Sequence, residues 1–173
     1  SKPPFAKWFV GGQTNLCHNA LDRHLKDRAK QIALVAVSTE TEQECAYTFE
    51  ELHAEVNRMA AILQANGVKK GDRVLIYMPM IAEACFAMLA CARIGAIHSV
   101  VFGGFASHSL ASRIEDAKPK MIITAEAGMR GGKAVPYKPL LDEAIALASF
   151  KPDKVLIVNR GLSEYTTVAN RDL

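Results

Sequence analysis

Two cations flank a pair of glycines in Gly128-Met129-Arg130-Gly131-Gly132-Lys133, a spacing that suits an anion. Backbone N–H groups of a glycine-rich loop can close around a phosphate. An arginine can grip it through two parallel hydrogen bonds, and a lysine adds a point charge. Pro136 stands three residues beyond Lys133 as a favoured first helical position, so the positive end of a helix dipole is expected beside the loop. On spacing alone the same residues also read as a solvated basic loop whose glycines serve turn geometry. A second glycine pair, Gly103-Gly104 between Phe102 and Phe105, follows an apolar run.

Sharper phosphate motifs fail. A Walker A loop needs G-x-x-x-x-G-K-[ST], but Gly132-Lys133 is followed by Ala134, which has no hydroxyl for Mg²⁺, and Ala127 stands at the leading glycine position. A G-x-G-x-x-G dinucleotide fingerprint is also absent. His98 falls inside a strand and reads as a core residue, whereas His18, His24 and His53 fall on helices and His108 at a helix start. None has ligands at metal spacing, and Glu40, Glu42 and Glu44 read as a solvated hairpin tip. Cys17, Cys45, Cys85 and Cys91 show no C-x-x-C pair, and Cys85 and Cys91 fall on different faces of one helix. They read as structural thiols of a reducing cytoplasm. No metal site is expected.

The elements that position these loops follow from periodicity. The 173 residues are half apolar and carry a net charge of +3 with both signs interspersed, which gives a sizeable core and no basic face for nucleic acid. No apolar run is long enough to span a membrane, and Ser1-Lys2-Pro3-Pro4 opens no secretory signal. Residues 1–30 read as a Pro/Gly-rich arm followed by a helix capped by Thr14 or Asn15, with Leu16, Ala20, Leu21 and Leu25 apolar. Residues 31–173 read as one further unit.

That unit opens with a strand over Ile32–Val37, a polar turn over Ser38–Glu44 and a returning strand at Ala46-Tyr47. Thr48-Phe49-Glu50-Glu51 is a capping box for a helix that presents Leu52, Val56, Met59, Ala60 and Leu63 and stops at Asn66-Gly67. Strands are expected over 73–78, 97–102, 121–124 and 154–158, with helices over 82–94, 107–117 and 136–148 and a loop over 126–135. Such alternation of short apolar strands with helices predicts an α/β fold: a mainly parallel sheet with helices on both faces. The polar stretch from Arg160 to Leu173 closes no element, so the sheet is expected to be incomplete.

Longer ordered stretches resemble a known family. Phe9-Val10-Gly11-Gly12 with Asn15 to His24, Gly67 to Val74 with Tyr77 to Met80, and Met88 to Phe105 are similar to acetate– and propionate–CoA ligases, AMP-forming enzymes of the adenylate-forming superfamily. The resemblance covers essentially the whole chain. Ile81-Ala82-Glu83-Ala84, Ala106 to Ser109 and Arg130 to Lys133 with Pro136-Tyr137-Lys138 resemble the propionate branch. The acetate branch usually carries arginine where Lys133 stands.

The resemblance implies that the chain is an N-terminal fragment, the incomplete first part of the large N-terminal domain. It implies a parent that joins propionate to CoA at the expense of ATP and Mg, through an acyl-adenylate. Arg130, Gly131, Gly132 and Lys133 would then meet the 3′-phosphate end of CoA, and Phe102, Gly103 and Gly104 would line its adenine pocket. The family's Ser/Thr/Gly-rich phosphate loop, acid pocket and catalytic lysine do not occur in these residues. The fragment is therefore expected to be inactive alone, to hold no ligand tightly and to self-associate through its truncated sheet. The alternatives are an acetate–CoA ligase fragment, a stand-alone nucleotide- or CoA-binding module, and a small hydrolase or transferase. The last needs a nucleophile–base pair or metal cluster that the sequence does not show.

Overall fold

The computed structural model describes residues 3–38 and 41–173. Near its start, the Asn15 side chain accepts from the His18 backbone N–H and caps helix α1 (Leu16–Ala20). The expected single helix is broken here. Leu21 leaves helical geometry at φ −132°, a 3-10 turn follows over Asp22–His24, and α2 (Leu25–Arg28) resumes. The break carries Leu21 fully into the core and leaves the Asp22 carboxylate to meet Arg93 at 2.8 Å.

Strands β1 (Ile32–Ser38) and β2 (Gln43–Thr48) form the expected antiparallel hairpin, with Val35 opposite Ala46. The turn is tighter than composition implies, because Gln43 and Glu44 already pair with Ser38 and Val37. Glu42 and Glu44 are exposed, as a hairpin tip requires, and Glu40 lies outside the described residues. Helix α3 (Phe49–Ala65) starts on the full capping box: Thr48 Oγ1 accepts from the Glu51 N–H, and Glu51 Oε2 accepts from the Thr48 N–H at 2.8 Å. Its buried side is Leu52, Val56, Met59, Ala60 and Leu63, the five residues its period selects.

The remainder alternates as expected: β3 (Arg73–Met78), α4 (Ala82–Ile94), β4 (Ile97–Phe102), α5 (Ser107–Ala117) and β5 (Met121–Ala125). The segment predicted as a loop is instead a second antiparallel hairpin, β6 (Ala127–Arg130) and β7 (Lys133–Pro136). Pro136 is the N-cap rather than the first helical residue of α6 (Tyr137–Leu147), and β8 (Lys154–Val158) follows.

Strands β4, β3, β5 and β8, in that spatial order, make a four-stranded sheet in which every pairing is parallel. Strict alternation splits the strands between two cores. Val74, Ile76, Met78, Met121 and Ile123 pack with α3 and α4; Leu75, Tyr77, Ile122 and Val155 pack with α5 and α6.

Only β3 and β5 are buried on both faces. The edge strand β4 keeps Ile97, Val100 and Phe102 more than half exposed. His98, on this edge, is therefore half-buried rather than a core residue. The polar end of the chain is not without structure. Residues 171–173 lie parallel beside β8, where Leu173 donates to the Val155 carbonyl at 2.9 Å and Ile157 donates to the Leu173 carbonyl at 3.1 Å. Lys138, with 1% of its side chain exposed, pairs with Asp142 within α6 at 2.6 Å and ties the helix to this segment through Asp172 at 2.9 Å. Arg171 bridges the same two carboxylates.

Candidate functional site

The strand order creates the crevice. The connection from β3 to β4 runs through α4 on one face, and those from β4 to β5 and from β5 to β8 run through α5 and α6 on the other. Beyond the carboxyl ends of β3 and β5 the chain therefore departs in opposite directions. Such a switch point is where open parallel sheets bind ligands. A cleft of about 670 Å³ opens there, lined by Phe102 at the end of β4 with Gly103 and Gly104 beyond it, by Met80 after β3, by Arg130 on β6 and by Arg160 after β8.

The floor of this cleft is set by close approaches. Tyr137 Oη donates to the Gly103 carbonyl. A Cβ at residue 103 would lie 2.6 Å from the Met78 carbonyl oxygen and 2.7 Å from Tyr137 Oη, so only glycine fits. Tyr77 stacks on Tyr137 at 5.0 Å and donates to the Phe105 carbonyl at 3.2 Å. Burial and the neighbouring Tyr137 push the Tyr77 phenol to about 12, so it remains a donor. Phe102 is 71% exposed and meets Phe105 edge-on at 5.9 Å, which leaves a ring face free to stack on a flat ligand.

Glu126 organises the far wall. It is fully buried, and its carboxylate accepts the backbone N–H groups of Arg160 and Leu162, each at 2.8 Å. Its own backbone N–H donates to the Val158 carbonyl, and its carbonyl accepts from Tyr137 and Lys138. One residue thus fixes the end of β8, the start of α6 and the position of Arg160.

The basic hairpin differs from the expected phosphate loop. Gly131 and Gly132 sit at φ +57° and +73°, the left-handed pair of a tight two-residue turn. Residues 133–136 form a strand before α6 begins, so the helix dipole expected beside the cations is not adjacent to them. Instead Arg130 and Lys133 are paired directly across the hairpin, both exposed. Like charges so placed repel, and an anion between them removes that repulsion. Arg130 lines the cleft; Gly131, Gly132 and Lys133 form the hairpin's outer end.

Chemically the arrangement can hold a flat ring and anionic groups. Among the described residues no three His, Cys, Asp or Glu side chains converge to hold a metal. Burial raises the Cys91 thiol to about 12 and also raises Cys17, as expected for structural cysteines. Cys45 departs from that expectation by being exposed. Sequence reasoning missed Glu126, Tyr137 and Arg160 as site residues. An arginine just beyond the carboxyl end of a parallel strand is a signal that could have drawn attention to Arg160. It also gave His53 only surface duty, whereas His53 Nε2 lies 3.3 Å from Asp22.

Comparison with known proteins supplies the family. The model of the AMP-binding enzyme family matches residues 21–171, and that of the acetyl-coenzyme A synthetase N-terminus matches residues 1–20. The propionate–CoA ligase of Escherichia coli (strain K12) is 61% identical over 173 residues, all of this chain and 28% of that protein. The acetyl-coenzyme A synthetase of Bradyrhizobium diazoefficiens is 53% identical over 96% of this chain and 26% of its own length. The human mitochondrial acyl-CoA synthetase short-chain family member 3 is 48% identical over 98% of this chain and 25% of its own. Acetoacetyl-CoA synthetase from Streptomyces lividans superposes with a TM-score of 0.85 at 29% identity, covering 98% of this chain and 26% of that one. The chain thus spans about a quarter of the length of the relatives it matches, and by the extent of the match it belongs to the AMP-binding enzyme family.

Proposed function

We propose that these residues are the CoA-nucleotide side of a longer acid–CoA ligase that acts on propionate. In the proposed reaction the carboxylate attacks the α-phosphorus of ATP and pyrophosphate leaves. The CoA thiol then attacks the acyl-adenylate carbonyl and AMP leaves, giving propionyl-CoA. The single observation that carries the reading is the convergence of Phe102, Gly103, Gly104 and Arg130 on one cleft at the switch point. Phe102 offers a ring face to adenine. The paired cations Arg130 and Lys133 suit the 3′-phosphate, which lies far from the reacting thiol. ATP and Mg belong to the first half-reaction, whose phosphate loop does not occur in these residues, so the 173-residue chain is inactive alone and holds no substrate tightly. Its four cysteines, without paired spacing, fit a reducing compartment such as the cytoplasm.

Propionate is favoured over acetate by the 61% identity with the propionate enzyme against 53% with the acetyl-coenzyme A synthetase. Kinetics of the full-length protein with a series of short carboxylates test that choice. The CoA assignment is tested with CoA and 3′-dephospho-CoA. The parent should prefer CoA, and Arg130→Ala should lose most of that preference. An undiminished preference overturns the assignment.

A further inference from the structure

Arg160 shares the cleft with Arg130 but comes from a different strand end, after β8, which pairs with β5. It is half-buried, and its position is fixed through its backbone rather than its charge: the Glu126 carboxylate accepts the Arg160 N–H at 2.8 Å. The guanidinium makes one hydrogen bond, from Nη1 to the Ala127 carbonyl at 3.2 Å. Among the described residues no carboxylate forms an ion pair with Arg160 or with Arg130. Four of the five donors of the Arg160 fork therefore have no protein partner there. Arg160 also lines a neighbouring cleft of about 300 Å³ between the β1–β2 hairpin and the end of β8, so it stands where the two clefts meet. The Arg160 fork sits at the Ala127 carbonyl, at the start of β6, and Arg130 stands at the other end of that strand, roughly 10 Å on at the usual rise per residue. The two cations thus start from opposite ends of β6, and each can meet its own anionic group.

Resting on the CoA reading above, we propose that Arg160 binds a second, separate anionic group of the same ligand: the 5′-diphosphate, with Arg130 serving the 3′-phosphate. A ring held at Phe102 would direct one phosphate toward the β6–β7 hairpin and the diphosphate along the sheet edge toward β8. A bidentate fork suits two adjacent phosphate oxygens. The buried Glu126 holds the Arg160 backbone, and the Ala127 carbonyl holds one nitrogen of the fork, without an ion pair that would neutralise it.

The test is steady-state kinetics of the full-length protein with CoA and 3′-dephospho-CoA, using Arg160→Gln, Arg160→Lys and Arg130→Ala. Arg160→Gln should raise KM for both thiols by the same factor, roughly tenfold or more, and preserve their ratio. Arg160→Lys, which keeps charge but loses the fork, should fall between parent and Gln variant and guards against a folding defect. Arg130→Ala should instead collapse the ratio. If Arg160→Gln leaves both KM values unchanged while Arg130→Ala raises that for CoA, the inference falls and the CoA reading stands. If Arg160→Gln collapses the ratio, Arg160 serves the 3′-phosphate and the inference also falls. If neither arginine affects KM, the CoA reading itself fails.

Discussion

Asp22 connects three helical segments through its carboxylate. Arg93 holds both oxygens, at 2.9 and 2.8 Å, and His53 Nε2 lies 3.3 Å away. Burial pushes this carboxyl upward, but the Arg93 hydrogen bonds and charge outweigh it, with a smaller contribution from His53, and its pKa is lowered. A carboxyl lowered by folding contributes stability that is full above its unfolded pKa, near ~3.9, and is lost as pH falls through the folded value. Asp22→Asn should therefore be less stable than the parent at pH 7. That gap should close below about pH 4. Denaturant melts from pH 7 to pH 3 check this, and a gap constant down to pH 3 would remove Asp22 from the account. The cluster was not legible in the sequence, because its members lie on separate segments and only packing brings them together. Arg130 and Lys133 were legible as an anion pair, but not that a hairpin would set them opposite each other. In the full-length enzyme Lys133→Ala should raise the CoA KM less than Arg130→Ala, since an exposed ammonium is a screened point charge.

At the scale of elements, the helices and parallel strands beyond Thr48 were readable because apolar period separates them, with a cap at the start of α3 and glycine stops after α3 and α4. The Thr48 capping box is an instance. Thr48→Ala should cost about 1 kcal/mol, visible as a lower denaturation midpoint with an unchanged slope. The β6–β7 hairpin was missed because Ala127-Gly128-Met129-Arg130 lacks the alternation of β-branched residues that marks a strand. Its glycine pair forms the tight turn that joins the two strands. The break at Leu21 was invisible for another reason: helical period continues through it, and the burial of Leu21 together with the pull of Arg93 on Asp22 decides the geometry. Gly103 tests how tightly the cleft floor is built. Gly103→Ala must displace the Met78 backbone or Tyr137, so it should both lower stability and weaken CoA use. An alanine variant with unchanged melting and unchanged CoA KM would mean that the floor is looser than described.

At the scale of the whole molecule, the sheet has an open side. Strand β4 pairs only with β3 among the described residues and leaves Ile97, Val100 and Phe102 exposed along an unpaired backbone edge. Edges of this kind template further pairing. The 173-residue chain should therefore self-associate as its concentration rises through the micromolar range, and Val100→Lys should reduce this. Sedimentation velocity checks both, and a monomer at every concentration would contradict the expectation. Phe102 belongs to the same edge and to the proposed adenine site, so a ligand and a second copy would compete for it. The fold was largely legible at this scale because parallel topology follows from alternating strands and helices. The floor and far wall of the cleft were not, because Glu126 and Tyr137 act through contacts that only the folded chain creates. This segment is proposed to serve CoA and not adenylate formation. The most direct test is Arg130→Ala in the full-length protein, with propionate-dependent ATP–pyrophosphate exchange and CoA KM measured on one preparation. Loss of a charge-assisted hydrogen bond, about 1.5–3 kcal/mol, predicts a CoA KM raised roughly 10- to 150-fold beside an exchange that persists. Abolished exchange with an unchanged CoA KM would place the hairpin in adenylation or folding instead.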